Sequence, residues 1–154
     1  MYARFIGGNE EPTTARATTE STSSNTAALS NVDGISFPIA ANEVWQFDAH
    51  CPCKIEFLGK ASGIRFAVAG PAGMTVAGQI VGSGVIAGTF STTVSSFNGM
   101  FYDAVNALGA TSGVFLNAGA ATFSTTITGF VHVHCVASNG GNPGVVQLQM
   151  ESGG

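Results

Sequence analysis

Six side chains able to bind a metal or act as nucleophiles fall in two short segments: His50, Cys51 and Cys53 in the first, His132, His134 and Cys135 in the second. Imidazole nitrogens and thiolates are the donors that zinc and copper select, so two adjacent strands bearing them would be a candidate metal centre. Alternation argues against a mixed site. Trp45, Phe47, Ala49, Cys51, Cys53, Ile55 and Phe57 take odd positions, and Gln46, Asp48, His50, Lys54 and Glu56 take even ones. Successive side chains of a strand point to opposite faces, which puts the cysteines with Trp45 and Phe47, and His50 on the polar side. Val131, Val133 and Cys135 alternate with His132 and His134 in the same way. Thiols and imidazoles on opposite faces cannot share one ion.

Buried cysteines mostly behave as small hydrophobes. A disulfide from Cys51 or Cys53 to Cys135 satisfies the facing, but a cytoplasmic origin disfavours it. The facing also permits a histidine-only site from His50, His132 and His134. Histidines spaced along an exposed strand are ordinarily just polar strand residues, so neither a metal nor a cofactor is expected.

Other chemistry finds no footing. Gly82-Ser83-Gly84 is a turn signal, not a nucleophile elbow. The three Asp and six Glu include no pair spaced as an acid–base couple. Gly70-Pro71-Ala72-Gly73 lacks the Lys-Ser/Thr of a phosphate cradle, and its proline removes an amide donor. No catalytic residue and no enzymatic activity are expected.

What the chain lacks in titratable groups it lacks in charge generally. Five Lys/Arg and nine Asp/Glu amount to 9 % of 154 residues, and none falls between Arg65 and Asp103. An ordinary soluble domain carries about 25 %. A surface this poor in charge is hard to keep soluble and monomeric, which predicts cover by other copies or by a larger assembly. The net charge is −4, and the cations Arg4, Arg16, Lys54, Lys60 and Arg65 are scattered, so nucleic acid is not an expected partner. Met1-Tyr2-Ala3-Arg4-Phe5 leads into Gly, Asn and Glu with no apolar stretch, so synthesis in a cytoplasm is expected.

The elements that must position these residues are strands. A chain with 21 glycines, much Ser, Thr and Ala, and few helix formers reads as all-β. Residues 1–30 form a Thr/Ser-rich extended N-terminal arm, and 31–154 form the β-sandwich domain. Ile35, Phe37 and Ile39 open the domain, followed by the long strand through Trp45–Phe57. Pro52 cannot donate to a ladder, predicting an edge or a bulge there. A turn at Gly59–Gly63 precedes a strand of Ile64, Phe66 and Val68, and Thr122–Thr128 suits another. Val131–Cys135 and Val146–Met150, joined by Asn139-Gly140-Gly141-Asn142-Pro143-Gly144, read as a hairpin. Phe101, Ala104, Val105 and Leu108 have helical spacing, so Met100–Leu108 is the one short helix expected. Roughly eight strands with at most one short helix suggest an antiparallel β-sandwich of jelly-roll type.

Within the charge-free run, Gly78-Gln79-Ile80-Val81-Gly82 and Gly84-Val85-Ile86-Ala87-Gly88 both match a helix-packing spacing used in membranes. Pro71, Gln79, Ser83, many glycines and missing Lys/Arg flanks make 66–102 a poor span, and no membrane partner is expected. Glycine-rich strands packed between subunits fit better.

The stretch Val32-Asp33-Gly34-Ile35-Ser36-Phe37-Pro38-Ile39-Ala40-Ala41-Asn42-Glu43-Val44-Trp45-Gln46-Phe47 resembles the opening of small β-sandwich virion structural modules of tailed bacteriophages. The likeness continues through Gly63-Ile64-Arg65-Phe66-Ala67-Val68-Ala69-Gly70-Pro71, Ile127-Thr128-Gly129-Phe130-Val131-His132-Val133 and Val145-Val146-Gln147-Leu148-Gln149-Met150, spanning 29–150. It is a pattern of small and apolar positions without a signature motif. It implies a non-enzymatic structural protein of the virion, assembled in the host cytoplasm. The expected role is a capsid decoration or cement protein that forms a homo-oligomer, a trimer, on the major capsid protein or other virion proteins. On the arm, Tyr2, Phe5 and Ile6 are the expected partner-interface anchors. Such modules often add a further strand after the glutamine-bearing one. This chain reaches Glu151-Ser152-Gly153-Gly154 instead, which leaves sheet completion to a neighbour or to the arm. The alternatives are a tail or collar component, or a host receptor- or glycan-binding tip using Asn98, Asn106, Asn117 and Asn139 as loop donors.

Overall fold

The structure is a computed structural model that describes residues 2–7, 13–16, 26–58, 64–87, 99–105 and 124–152. Its elements are all strands: β1 (Tyr2–Gly7), β2 (Thr13–Arg16), β3 (Thr26–Ile39), β4 (Val44–Leu58), β5 (Ile64–Ala69), β6 (Thr75–Ala87), β7 (Gly99–Val105), β8 (Ser124–Ser138) and β9 (Gly144–Ser152). They form two antiparallel sheets among the described residues. The larger runs β2-β1-β4-β8-β6-β7 and the smaller β3-β9-β5.

The alternation predicted for β4 holds. Trp45, Phe47, Ala49 and Cys51 are buried, while Gln46 and Pro52 are exposed and Asp48 and His50 half-buried. β8 repeats the pattern with Val131, Val133, Cys135 and Ala137 inside, and Thr122–Thr128 turns out to lead into this same strand. From the smaller sheet Ile35, Phe37, Phe66, Val68, Val146, Leu148 and Met150 join the same core. Phe37 lies between Trp45 and Phe47, with ring centroids 5.3 and 5.8 Å away. Burying side chains of this size stabilises by about 1.5–3 kcal/mol each, so the core rests on the two facing apolar surfaces.

Two expectations need correction. Val131–Cys135 and Val146–Met150 are not a hairpin: β8 belongs to the larger sheet and β9 to the smaller. The connection crosses the core because its polar groups are tied to other loops. Asn139 N–H donates to the Glu43 carbonyl and Asn42 N–H to that of Gly140, each at 2.8 Å, and Asn142 Nδ2 donates to the Ala72 carbonyl at 3.0 Å. Next, Gly99–Val105 is a strand and not part of a helix. It pairs with β6 from Gly78↔Val105 to Gly84↔Gly99, and sheet pairing outweighs a spacing that fits either structure. Residues 106–108 of that expected helix lie outside the described residues. The glycine-rich run, expected to form strands, does so from Gly78 to Ala87 in β6, and no helix among the described residues is long and apolar enough to cross a membrane.

Pro52 lies on β4, an interior strand of the larger sheet. The described β1 register reaches Tyr2↔His50, and the β4–β8 register runs unshifted through Pro52↔Phe130, so no bulge interrupts that pair. Of the segment 1–30, the described parts are β1, β2 and the start of β3. β1 lies along β4, so the chain's own first residues occupy that position in the sheet.

Candidate functional site

Register converts the two histidine segments into a square block on the outer face of the larger sheet. His50 stands opposite His132, and Asp48 opposite His134. On the far side of β8, β6 offers Val81 opposite His132 and Gln79 opposite His134. On the far side of β4, β1 sets Tyr2 opposite His50 and Arg4 opposite Asp48. Directly opposed residues lie within about 5.5 Å, close enough for the four side chains to interact.

Asp48 is the hub. Its Oδ1 lies 2.5 Å from Nδ1 of His134 and 3.3 Å from Nε2 of His132. The His50 and His132 rings stack, with centroids 4.1 Å apart and planes 16° from parallel, while His134 meets His132 edge-on at 6.5 Å. Burial pulls the Asp48 carboxyl upward. The hydrogen bond and charge of His134, then those of His132, outweigh it and hold Asp48 below the usual aspartate range. His50 is held below the ordinary imidazole range, first by burial and then by the charge of His132, with Asp48 opposing. The block gathers three imidazoles around one carboxylate, an arrangement suited to sharing charge across the two strands. No group of three His, Cys, Asp or Glu among the described residues is arranged to hold a metal ion.

The cysteines are on the other face, as their positions predicted. Cys51 and Cys135 are buried, Cys53 is half-buried, and all three are free thiols. Burial drives the Cys51 thiol far above its ordinary range and pushes Cys53 and Cys135 up to about 12. Cys53 Sγ donates to the Cys51 carbonyl at 3.0 Å. Thiolate is the reactive form, so native protein treated with a thiol reagent at pH 8 is expected to leave Cys51 and Cys135 unmodified, with reaction following only on unfolding. Labelling of either on the native timescale would contradict this burial.

The remaining expected site residues are dispersed. Tyr2, Phe5 and Ile6 fall on β1, opposite His50, Phe47 and Gln46; their side chains lie outside the described residues. Asn139 is buried, and its Nδ2 donates to the carbonyls of Ala40 at 2.7 Å and Asn142 at 2.8 Å. Those bonds fasten loops together, so Asn139 is not an exposed glycan donor. Asn98, Asn106 and Asn117 lie outside the described residues. Trp45 is in the core, its Nε1 donating to Glu43 Oε2 at 2.9 Å. The same carboxylate accepts from Ala40 N–H at 2.7 Å, and these bonds, the backbone one first, hold Glu43 below its ordinary range.

Sequence reading passed over Asp48. The available signal was its place two residues before His50, on the same strand face.

The outer face around the block also exposes apolar side chains among the polar Gln46 and Lys54. Phe130 is 51 % exposed, opposite exposed Pro52, while Val136 and Val44 are 41 % and 52 % exposed. No family model matches the chain, and no curated protein matches it.

Proposed function

We propose that the chain is a non-enzymatic structural protein of a tailed-phage virion, acting as a capsid decoration protein that self-associates and reinforces the particle. The observation that carries the reading is the outer face of the larger sheet. Four large apolar side chains, Val44, Phe130, Val136 and, on the other sheet, Val145, stand open to solvent on a molecule with 9 % charged residues. Apolar surface rimmed by so little charge is the kind that other protein surfaces cover.

The fold reading that accompanies it is a jelly roll. It is supported by β3, β4, β5 and β6 alternating between the two sheets, and by the order β3-β9-β5 set against β4-β8-β6-β7. Double-sheet jelly rolls serve as capsid and lectin domains. Both sheets are open among the described residues, with β2, β7, β3 and β5 at their edges. Open edges invite strand addition by a neighbour. In this reading the N-terminal arm is the attaching element. Exchange of β1 between copies would preserve every β1–β4 register pair while linking two molecules, with Tyr2, Phe5 and Ile6 carried across.

The test is direct. Light scattering on the purified chain is expected to give a homo-oligomer, a trimer, and antibody against it should decorate intact particles whose genome encodes it. Deleting residues 2–20 is expected to lower occupancy on the particle. A lone monomer at micromolar concentration together with unlabelled particles would overturn the proposal.

A further inference from the structure

All three histidines of the chain belong to one block, although His50 is more than eighty residues from the other two. Histidine is the side chain whose charge ordinarily changes between pH 5 and 8, and the buried thiols are displaced well above that window. Side-chain proton uptake between pH 8 and 5 is therefore concentrated on a single patch of sheet. The formal charge of −4 counts every histidine as neutral, so full protonation of this patch alone would cancel most of it.

We infer that the block is a proton-operated clasp between β4 and β8: closed while it carries no more than one imidazolium, opened when His50 and His132 are both charged. The reason is geometric. One carboxylate, Asp48, sits between two imidazole nitrogens, so a first proton on His132 or His134 converts a hydrogen bond to a carboxylate into an ion pair. The stack admits no second. Two imidazolium rings 4.1 Å apart and nearly parallel repel, and opposed like charges weaken a strand pair.

Among the described residues, the surrounding elements add no second acid at the neighbouring register positions. β1 places Arg4 and Tyr2 there, β6 places the uncharged Gln79 and Val81, and along β4 the next charged residue is exposed Lys54. The sign of the linkage agrees. A histidine held below its ordinary range favours the neutral form, so its contribution to stability is full above about pH 6.5 and is lost as pH falls through the folded value. Asp48, held below its ordinary value of 3.8, contributes above that pH and is lost only under stronger acid.

The full-length chain provides the test: three imidazoles give three Cε1–H resonances, which His132→Gln and His134→Gln assign by elimination. Followed by NMR from pH 8 to 4.5, the His50 ring is expected to titrate below its ordinary value, in a step broadened by the charge of the ring stacked on it. The unfolding equilibrium constant from urea titration is expected to rise about tenfold from pH 7.5 to 5.0, the scale of groups interacting by a full unit. His50→Gln should abolish at least half of that rise. A simple single-step titration of His50 at the ordinary value would overturn the clasp. So would a pH response in His50→Gln equal to that of the unsubstituted chain. Should that variant fail to fold, the ring titration of the unsubstituted chain decides the matter alone.

Discussion

Gly78→Ala is expected to destabilise the chain by about 3 kcal/mol, the upper end of what overpacking costs in a close-packed interior. Gly78 lies on β6 between β8 and β7, opposite Cys135 on one side and Val105 on the other. A Cβ there would collide with the His134 carbonyl oxygen and approach the Cys135 Cα at 2.6 Å and its Sγ at 2.8 Å. Two of these three neighbours are backbone, so relief requires moving β8, a central strand of the larger sheet. Urea denaturation followed by the fluorescence of Trp45, the chain's one tryptophan and a buried one, reads the effect. Gly141→Ala is the control: its Cβ would meet nothing within 4 Å, and a change within about 0.5 kcal/mol is expected. Equal behaviour of the two variants would refute the close approach of β6 to β8. Because the colliding carbonyl belongs to His134, the same substitution is expected to disturb its ring resonance.

Gln147→Leu is the second substitution with a large expected cost, about 2–3 kcal/mol, from buried carbonyls left without donors. The β3–β9 register runs Asn31↔Gln149 and then Ser36↔Gln147, so β3 carries extra residues at this point. Gly34, with φ 74°, turns the backbone there. The turn places both Val32 and Ile35 in the core, two positions that plain alternation would send to opposite faces. Its carbonyls need donors, and Gln147 Nε2 supplies them: Val32 at 2.9 Å and Ile35 at 3.1 Å, with Leu148 at 3.2 Å. Leucine matches the size and removes the donor. A midpoint shift under about 0.5 kcal/mol would show that the turn stands without its side-chain brace.

Much of the architecture was legible because period-two patterning is a local signal. The face of each side chain from Trp45 to Cys53 follows from position, and so does the separation of Cys51 and Cys135 from His50, His132 and His134. The unlike partners of each strand were less legible. The loop Asn139–Gly144 has hairpin composition, yet it carries the chain across the core. The decisive interactions are made with Ala40, Glu43 and Ala72, which are remote in sequence. The segment from Met100 carried a helical spacing that a strand also accommodates, and the waiting edge of β6 selected the strand.

The sequence by itself determined an all-β chain, cysteines on its inward face, histidines on its outward face and its scarcity of charge, because composition and alternation act residue by residue. Tertiary structure decided which strands share a sheet, and so brought Asp48 against His132 and His134 and stacked His50 on His132. Register is a property of two strands together. No single strand's pattern contains the side chain that will stand opposite it.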